Sequence, residues 1–337
     1  MPILGQNGYI STGNIGTELT NVTRRACIPK NIIQIGQSSP LIAALLANNK
    51  MATGGINSIT VFPQGSSMVS GSWTGPDASF PQPAMQQGIS EAGFNLKSWV
   101  VPVATTGYEQ LTQDKHAIID LMMARMNDVG NVSRDALANA LYSNASNNMQ
   151  MSGLPAAVDD GTNLASYGGI NRSVNTWWKS KRTAASAANA TRATVLQYII
   201  GTVKFSGGER PTFGVMGCAT WAGLAQDFLG QETYQTRPGE AFDGVASGPR
   251  AGFQALVVGG IPIYMDAYCP EGSLYLLNTQ YMSIHIHEGA NFHFTGFEST
   301  LAQNQLGSIG AVITLLEMVN VKPRASSTIT GFTYPTI

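Results

Sequence analysis

Charged side chains are scarce in this chain. Asp, Glu, Lys and Arg supply 12% of its 337 residues, about half the ~25% of an average soluble domain. The 19 basic and 20 acidic residues nearly cancel, leaving a net charge of −1. A free monomer keeps itself soluble with interspersed charges and a net charge away from zero, whereas interface cores are depleted in Lys, Glu and Asp. The shortage points to a subunit largely covered by other subunits; a secreted, polar β-protein is the alternative. Near-neutrality also argues against a dedicated nucleic-acid binder, which shows a basic patch and a high pI.

Other absences narrow the field. Cysteine is limited to Cys27, Cys218 and Cys269. An odd number, widely spaced and without CxxC or zinc patterns, implies free thiols in a reducing compartment. The first residues lack the basic and apolar regions of a signal peptide, and no apolar run approaches the ~20 residues of a membrane span. GxxxxGK[ST], a GxGxxG opening a helix and GxSxG are all missing, which removes the phosphate-binding loops and the nucleophile elbow. Neither a cofactor nor a catalytic residue is expected.

Residues 153–182 are the most informative stretch present. They combine the pair Trp177 and Trp178, a Gly168-Gly169 turn and a basic cluster of Arg172, Lys179, Lys181 and Arg182. Each tryptophan carries a large apolar area and an N–H that needs a partner, so the span must pack against its own core or a neighbouring copy. Asp159-Asp160-Gly161 reads as turn chemistry rather than a catalytic carboxylate pair.

The rest of the chain divides by pattern. Residues 1–55 read as an extended arm with a short helix near 40–46. Residues 56–104 hold two β-branched and aromatic runs around Pro76, Pro81 and Pro83, which predicts a long two-stranded excursion with an irregular tip. Such a ribbon is marginal alone and leans on a partner. Thr106-Gly-Tyr-Glu109 fits a capping box. Leu111, Ile118, Leu121, Met122 and Met126 then recur at helical spacing, with a break at Gly130-Asn131 and continuation to about 144. From 191 a helix to about 204, a strand at 213–216 and a helix at 221–229 precede a polar loop at 230–250 and mainly strands beyond it. Mixed helices and antiparallel-looking strands make the fold class α+β.

His285, His287 and His293 form the one cluster with metal-ligand chemistry. Residues two apart on a strand share a face, so the first two could grip one ion. Glu288 directly follows the second His and points the other way. Histidines alternating on a wet or interfacial strand explain the pattern better, and no metal is assigned. A metal-dependent enzyme built on these three is the alternative from a different class.

GLPAAV, YGGINRSVNTWWK, GGERPTFGVMGCATWAGLAQDF, GGIPIYMDAYCPEGSLYLLNT and the strand before RASSTITGF resemble tailed-bacteriophage major capsid proteins of the Hong Kong 97 type. The order of segments is similar too. The resemblance implies an N-terminal arm (1–55), an extended loop (56–104), a peripheral domain (105–190 and 291–337, spine helix 106–144) and an axial domain (191–290). It implies hexamers and pentamers in an icosahedral shell, with packaged double-stranded DNA contacted non-specifically and scaffolding, portal and decoration proteins as further partners. The place implied is the virion capsid, assembled in the host bacterial cytoplasm, with no membrane. An encapsulin-like nanocompartment shell shares this fold. Trp73 and Phe80 of the loop, with Arg172, Trp177, Trp178, Lys179, Lys181 and Arg182, are the expected subunit-interface residues. Arg172, Lys179, Lys181 and Arg182 would lie near local threefold axes, while Trp177 and Trp178 pack where the chain crosses the peripheral domain, with at least one indole buried.

Overall fold

The computed structural model describes residues 39–47, 51–54, 58–65, 88–112, 115–144, 149–229, 255–301 and 305–335. The arm up to residue 38, with Cys27, lies outside them, as do the ribbon tip with Trp73 and Phe80 and the loop at 230–254.

Helix α1 (Pro40–Ala47) stands where the short helix was expected, and Leu41, Ile42, Ala43, Ala44 and Leu45 are all buried. A proline as its first residue suits a position whose N–H has no helical partner. Strand β1 (Met51–Gly54) follows. Strands β2 (Ser58–Val61) and β3 (Ala92–Asn95) then pair antiparallel, with a further bridge between Gln64 and Ile89. They are the root of the expected ribbon. Its returning arm is shorter than the sequence suggested, because after Leu96 the chain leaves it. Strand β4 (Lys97–Thr106) instead pairs along ten residues with the long strand 307–320, which outweighs continuing a two-stranded ribbon.

Thr106 and Glu109 form the capping box. The Thr106 N–H donates to Glu109 Oε2 at 3.2 Å, and the Glu109 N–H donates to Thr106 Oγ1 at 3.4 Å. Helix α2 (Gly107–Thr112) starts there, and α3 (Lys115–Leu141) carries the spine onward. The expected break at Gly130-Asn131 does not occur. A helical glycine costs only about 1 kcal/mol relative to alanine, and the buried stripe Met122, Met126, Val129, Leu137, Ala140 and Leu141 runs straight past it.

The chain continues through α4 (Leu154–Ala157), the hairpin β5 (Ser166–Tyr167) and β6 (Ile170–Asn171), and β7 (Lys181–Ala184). Helix α5 (Arg192–Ser206) is capped by Thr191 and closed by Gly207, whose φ of 84° is the left-handed stop that glycine favours. Strand β8 (Phe213–Met216) and helix α6 (Cys218–Leu229) match the expected strand and helix. The remaining strands are β9 (Ala255–Val258), β10 (Ile261–Met265), β11 (Ser273–Leu277), β12 (Met282–His287), β13 (His293–Phe294), β14 (Glu298–Ser299), β15 (Gly307–Asn320) and β16 (Ser327–Thr330).

Two sheets of six strands organise these parts. The first runs β1-β12-β15-β13, with β4 and β14 also pairing β15; the second runs β7-β16-β11-β8-β10-β9. One hydrophobic core joins the first sheet and the spine helix to the second sheet through Phe213, Val215, Tyr264, Tyr275 and Leu277. A smaller one with Val195, Ile199, Leu224 and Ile263 belongs to the second sheet alone. Strand pairing therefore draws boundaries other than 191–290 for the inner segment. β12 belongs with the first sheet, while β7 and β16 join the second. Those partners are remote in sequence, so local pattern could not assign them.

Candidate functional site

The span 153–182 is a joint between ribbon, first sheet and second sheet. Gly168 (φ 58°) and Gly169 (φ 82°) turn the β5–β6 hairpin, a geometry that needs positive φ at both positions. The Gly168 carbonyl accepts from Gly93 N–H of the ribbon at 3.0 Å. Tyr167 reaches the first sheet, its hydroxyl accepting from Asn320 N–H at 3.0 Å. Thr328 of β16 donates to the Val158 carbonyl at 2.9 Å, and Ser180 donates to the Pro323 carbonyl at 2.7 Å.

Asp159 and Arg172 lock the joint from inside. Asp159 Oδ2 accepts from the N–H groups of Gly161, Asn163 and Leu164 at 2.9–3.0 Å. Arg172 Nη1 lies 3.6 Å from the same oxygen, and both side chains are 0% exposed. The guanidinium also donates to the carbonyls of Ala156 and Leu164 at 2.7 and 3.2 Å and lies over the Tyr167 ring. Burial pushes its pKa down, and the Asp159 carboxylate opposes that shift. Asp160 makes its own turn, accepting from Thr162 N–H at 3.0 Å, so Asp159-Asp160-Gly161 is the turn element the sequence suggested.

The two tryptophans take different roles. Trp178 is 1% exposed and donates from its indole to the Tyr167 carbonyl at 2.9 Å. Trp177 is half-buried, its ring 5.5 Å from that of Trp178, and it lies where a Cβ on Gly65 of the ribbon root would be. One indole is buried, as the sequence implied. Arg172 and Trp178, however, offer no surface to another subunit: both are interior, and their expected role as interface residues is corrected. Lys179, Lys181 and Arg182 keep partial exposure, and Arg182 donates to Asn163 Oδ1 at 2.8 Å.

A second junction was not legible in the sequence. Buried Asp266, just after β10, accepts through Oδ2 from Ser39 Oγ at 2.6 Å and from the Tyr142 hydroxyl at 2.8 Å. It ties the residue preceding α1, the residue following the spine helix and the second sheet to one carboxylate. Burial raises the Tyr142 pKa well above its ordinary value, with Cys269 and Asp266 adding to the shift.

The histidines do not converge. His285 lies across from Glu317 on β15 and bonds Ser283 Oγ at 3.0 Å, His287 Nδ1 accepts from Gly289 N–H at 3.1 Å, and exposed His293 lies across from Ile313. Among the described residues no group of three or more His, Cys, Asp or Glu is placed to hold a metal. No helix among them is long and apolar enough to cross a membrane.

No family model matches the sequence, and no curated protein does. Solved structures do. The cyanophage A-1(L) capsid asymmetric unit superimposes with a TM-score of 0.63 at 14% identity, covering 85% of this chain and 91% of that one. The capsid of a native GTA particle gives 0.52 at 12% identity over 86% and 90%. The holo-SrpI encapsulin complex from Synechococcus elongatus PCC 7942 gives 0.52 at 11% identity over 87% and 90%. With the spine helix, the ribbon root and the two sheets already in place, the chain has the Hong Kong 97-type capsid fold.

Proposed function

We propose that this chain is the major capsid protein of a tailed bacteriophage, self-assembling into an icosahedral shell around double-stranded DNA. The observation that carries the reading is the likeness to the cyanophage capsid subunit across 85% of the chain. The charge shortage supports it independently, as does apolar surface at the ribbon root, where Phe62 is 66% and Ile89 45% exposed. A free subunit gains nothing from such surface; a neighbour beneath the ribbon would cover it. In this reading, hexamers and pentamers form by heterologous contacts that close. The arm, the ribbon with Trp73 and Phe80, and Trp177 and Arg182 at the rim of the joint supply those contacts. Scaffolding, portal and decoration proteins are its further partners, and the shell forms in the host bacterial cytoplasm.

Electron microscopy and light scattering of purified protein test this directly. Capsomers or closed shells are expected, and a monomer that stays monomeric under all assembly conditions overturns the reading. The encapsulin likeness supports a second reading, a nanocompartment shell around a cargo protein. The contents of particles isolated from the native source separate the two: duplex DNA for a capsid, a co-purifying enzyme for a compartment.

A further inference from the structure

In a chain so poor in charge, cations gather along one edge of the second sheet. Lys179 and Lys181 flank Ser180, whose hydroxyl bonds the Pro323 carbonyl and so sets Lys322 and Arg324 alongside. Arg324 donates to the Phe205 carbonyl at 2.7 Å at the end of α5. The Lys181 ammonium lies against Gly201 of that helix, one turn before Lys204. These five cations form one ridge beside β7, the outermost strand of its sheet.

Little offsets them. Glu209 is bonded to Lys322, and the C-terminus of α5 contributes about half a negative charge, leaving an excess of roughly three and a half positive charges. No carboxylate of the described residues comes within ion-pair distance of Lys179, Lys181 or Lys204. The described part of a second copy does expose acids, among them Glu91, Asp128, Asp227, Glu288 and Glu298, so a contact between copies is the alternative that the test must separate from DNA.

We propose that this ridge, on Lys179, Lys181 and Lys204 above all, binds the phosphate backbone of duplex DNA without reading its sequence. The inference rests on the capsid reading for its partner and on the charge distribution for its place. A local patch on a neutral chain is what a shell subunit needs. It holds phosphates by counterion release, while the near-zero total charge keeps copies from repelling one another.

The test uses assembled particles and, in parallel, free subunits, with linear duplex DNA and a polyglutamate chain as probes across a salt series. The triple variant Lys179→Gln, Lys181→Gln, Lys204→Gln is compared with the triple Arg variant at the same positions. Each phosphate that a lysine neutralises steepens the log–log salt dependence by about 0.9. The Gln variant is therefore expected to show a slope shallower by about 2.7 and to bind DNA more weakly, with assembly intact, while the Arg variant retains binding. An unchanged slope overturns the proposal. So does loss of assembly with DNA binding intact, which would make the ridge a subunit contact, or binding of polyglutamate but not DNA. Failure of the wild type to assemble would defeat the capsid reading instead, and DNA binding by free subunits would still judge the ridge.

Discussion

Arg172 Nη1 stands 3.6 Å from Asp159 Oδ2, with neither side chain reaching solvent. Breaking a buried pair by removing one partner strands the other charge and costs about 3–5 kcal/mol. Arg172→Ala should lower the urea midpoint of the unassembled subunit accordingly. Arg172→Lys should not rescue it, because a point charge cannot reproduce the planar fork that reaches Asp159, Leu164 and Ala156 together. A variant as stable as wild type that merely failed to form shells would restore Arg172 to the interface.

At the ribbon root Gly65 lies so close to the Trp177 indole that no Cβ fits. A methyl group at Gly65 would run into the indole, and overpacking of this kind costs about 1–3 kcal/mol. Gly65→Ala should leave a folded subunit with a lower melting temperature and slower shell formation. Light scattering that showed wild-type assembly rates would mean that this contact does not govern assembly.

Tyr142 and Ser39 share the Asp266 carboxylate. Tyr142→Phe removes one donor and should cost about 1–3 kcal/mol. Because both hydroxyls serve one oxygen, the double variant with Ser39→Ala should depart from additivity. Strictly additive losses in urea unfolding would show that the two residues act separately.

Glu317 gives a pH dependence. Burial raises its pKa above the ordinary 4.5, against the N–H of Ser152, which donates to Oε1 at 3.1 Å. The folded chain therefore binds this proton more tightly than the unfolded one, and stability falls as pH rises above the unfolded value. Glu317→Gln removes that slope. Its melting temperature should exceed that of wild type by a margin that grows upward from about pH 4.5 and disappears below it. A difference independent of pH would rule out titration of Glu317 as the cause.

The ribbon can be tested although its tip lies outside the described residues. Deleting 75–86 should leave the subunit folded by circular dichroism and abolish shells by electron microscopy. Normal shells would show that the ribbon does not clamp a neighbour.

Much of this molecule was readable locally. The capping box at Thr106 and Glu109, the helix closed by Gly207, the strand Phe213–Met216 and the buried stripe of the spine all follow from short-range rules, in which a residue's neighbours within a turn or a pleat decide its state. The α+β class followed from the same periodicities. Only the tertiary structure decided which strands share a sheet, that Arg172 faces inward to Asp159, and that Asp266 gathers Ser39 and Tyr142. Each of these joins groups that no local pattern links. Asp266 and Ser39 are 227 positions apart, and a buried carboxylate finds its donors only when burial leaves it no water. The charge shortage stands between the two. The sequence shows that charge is missing, but the fold decides where the few remaining cations collect.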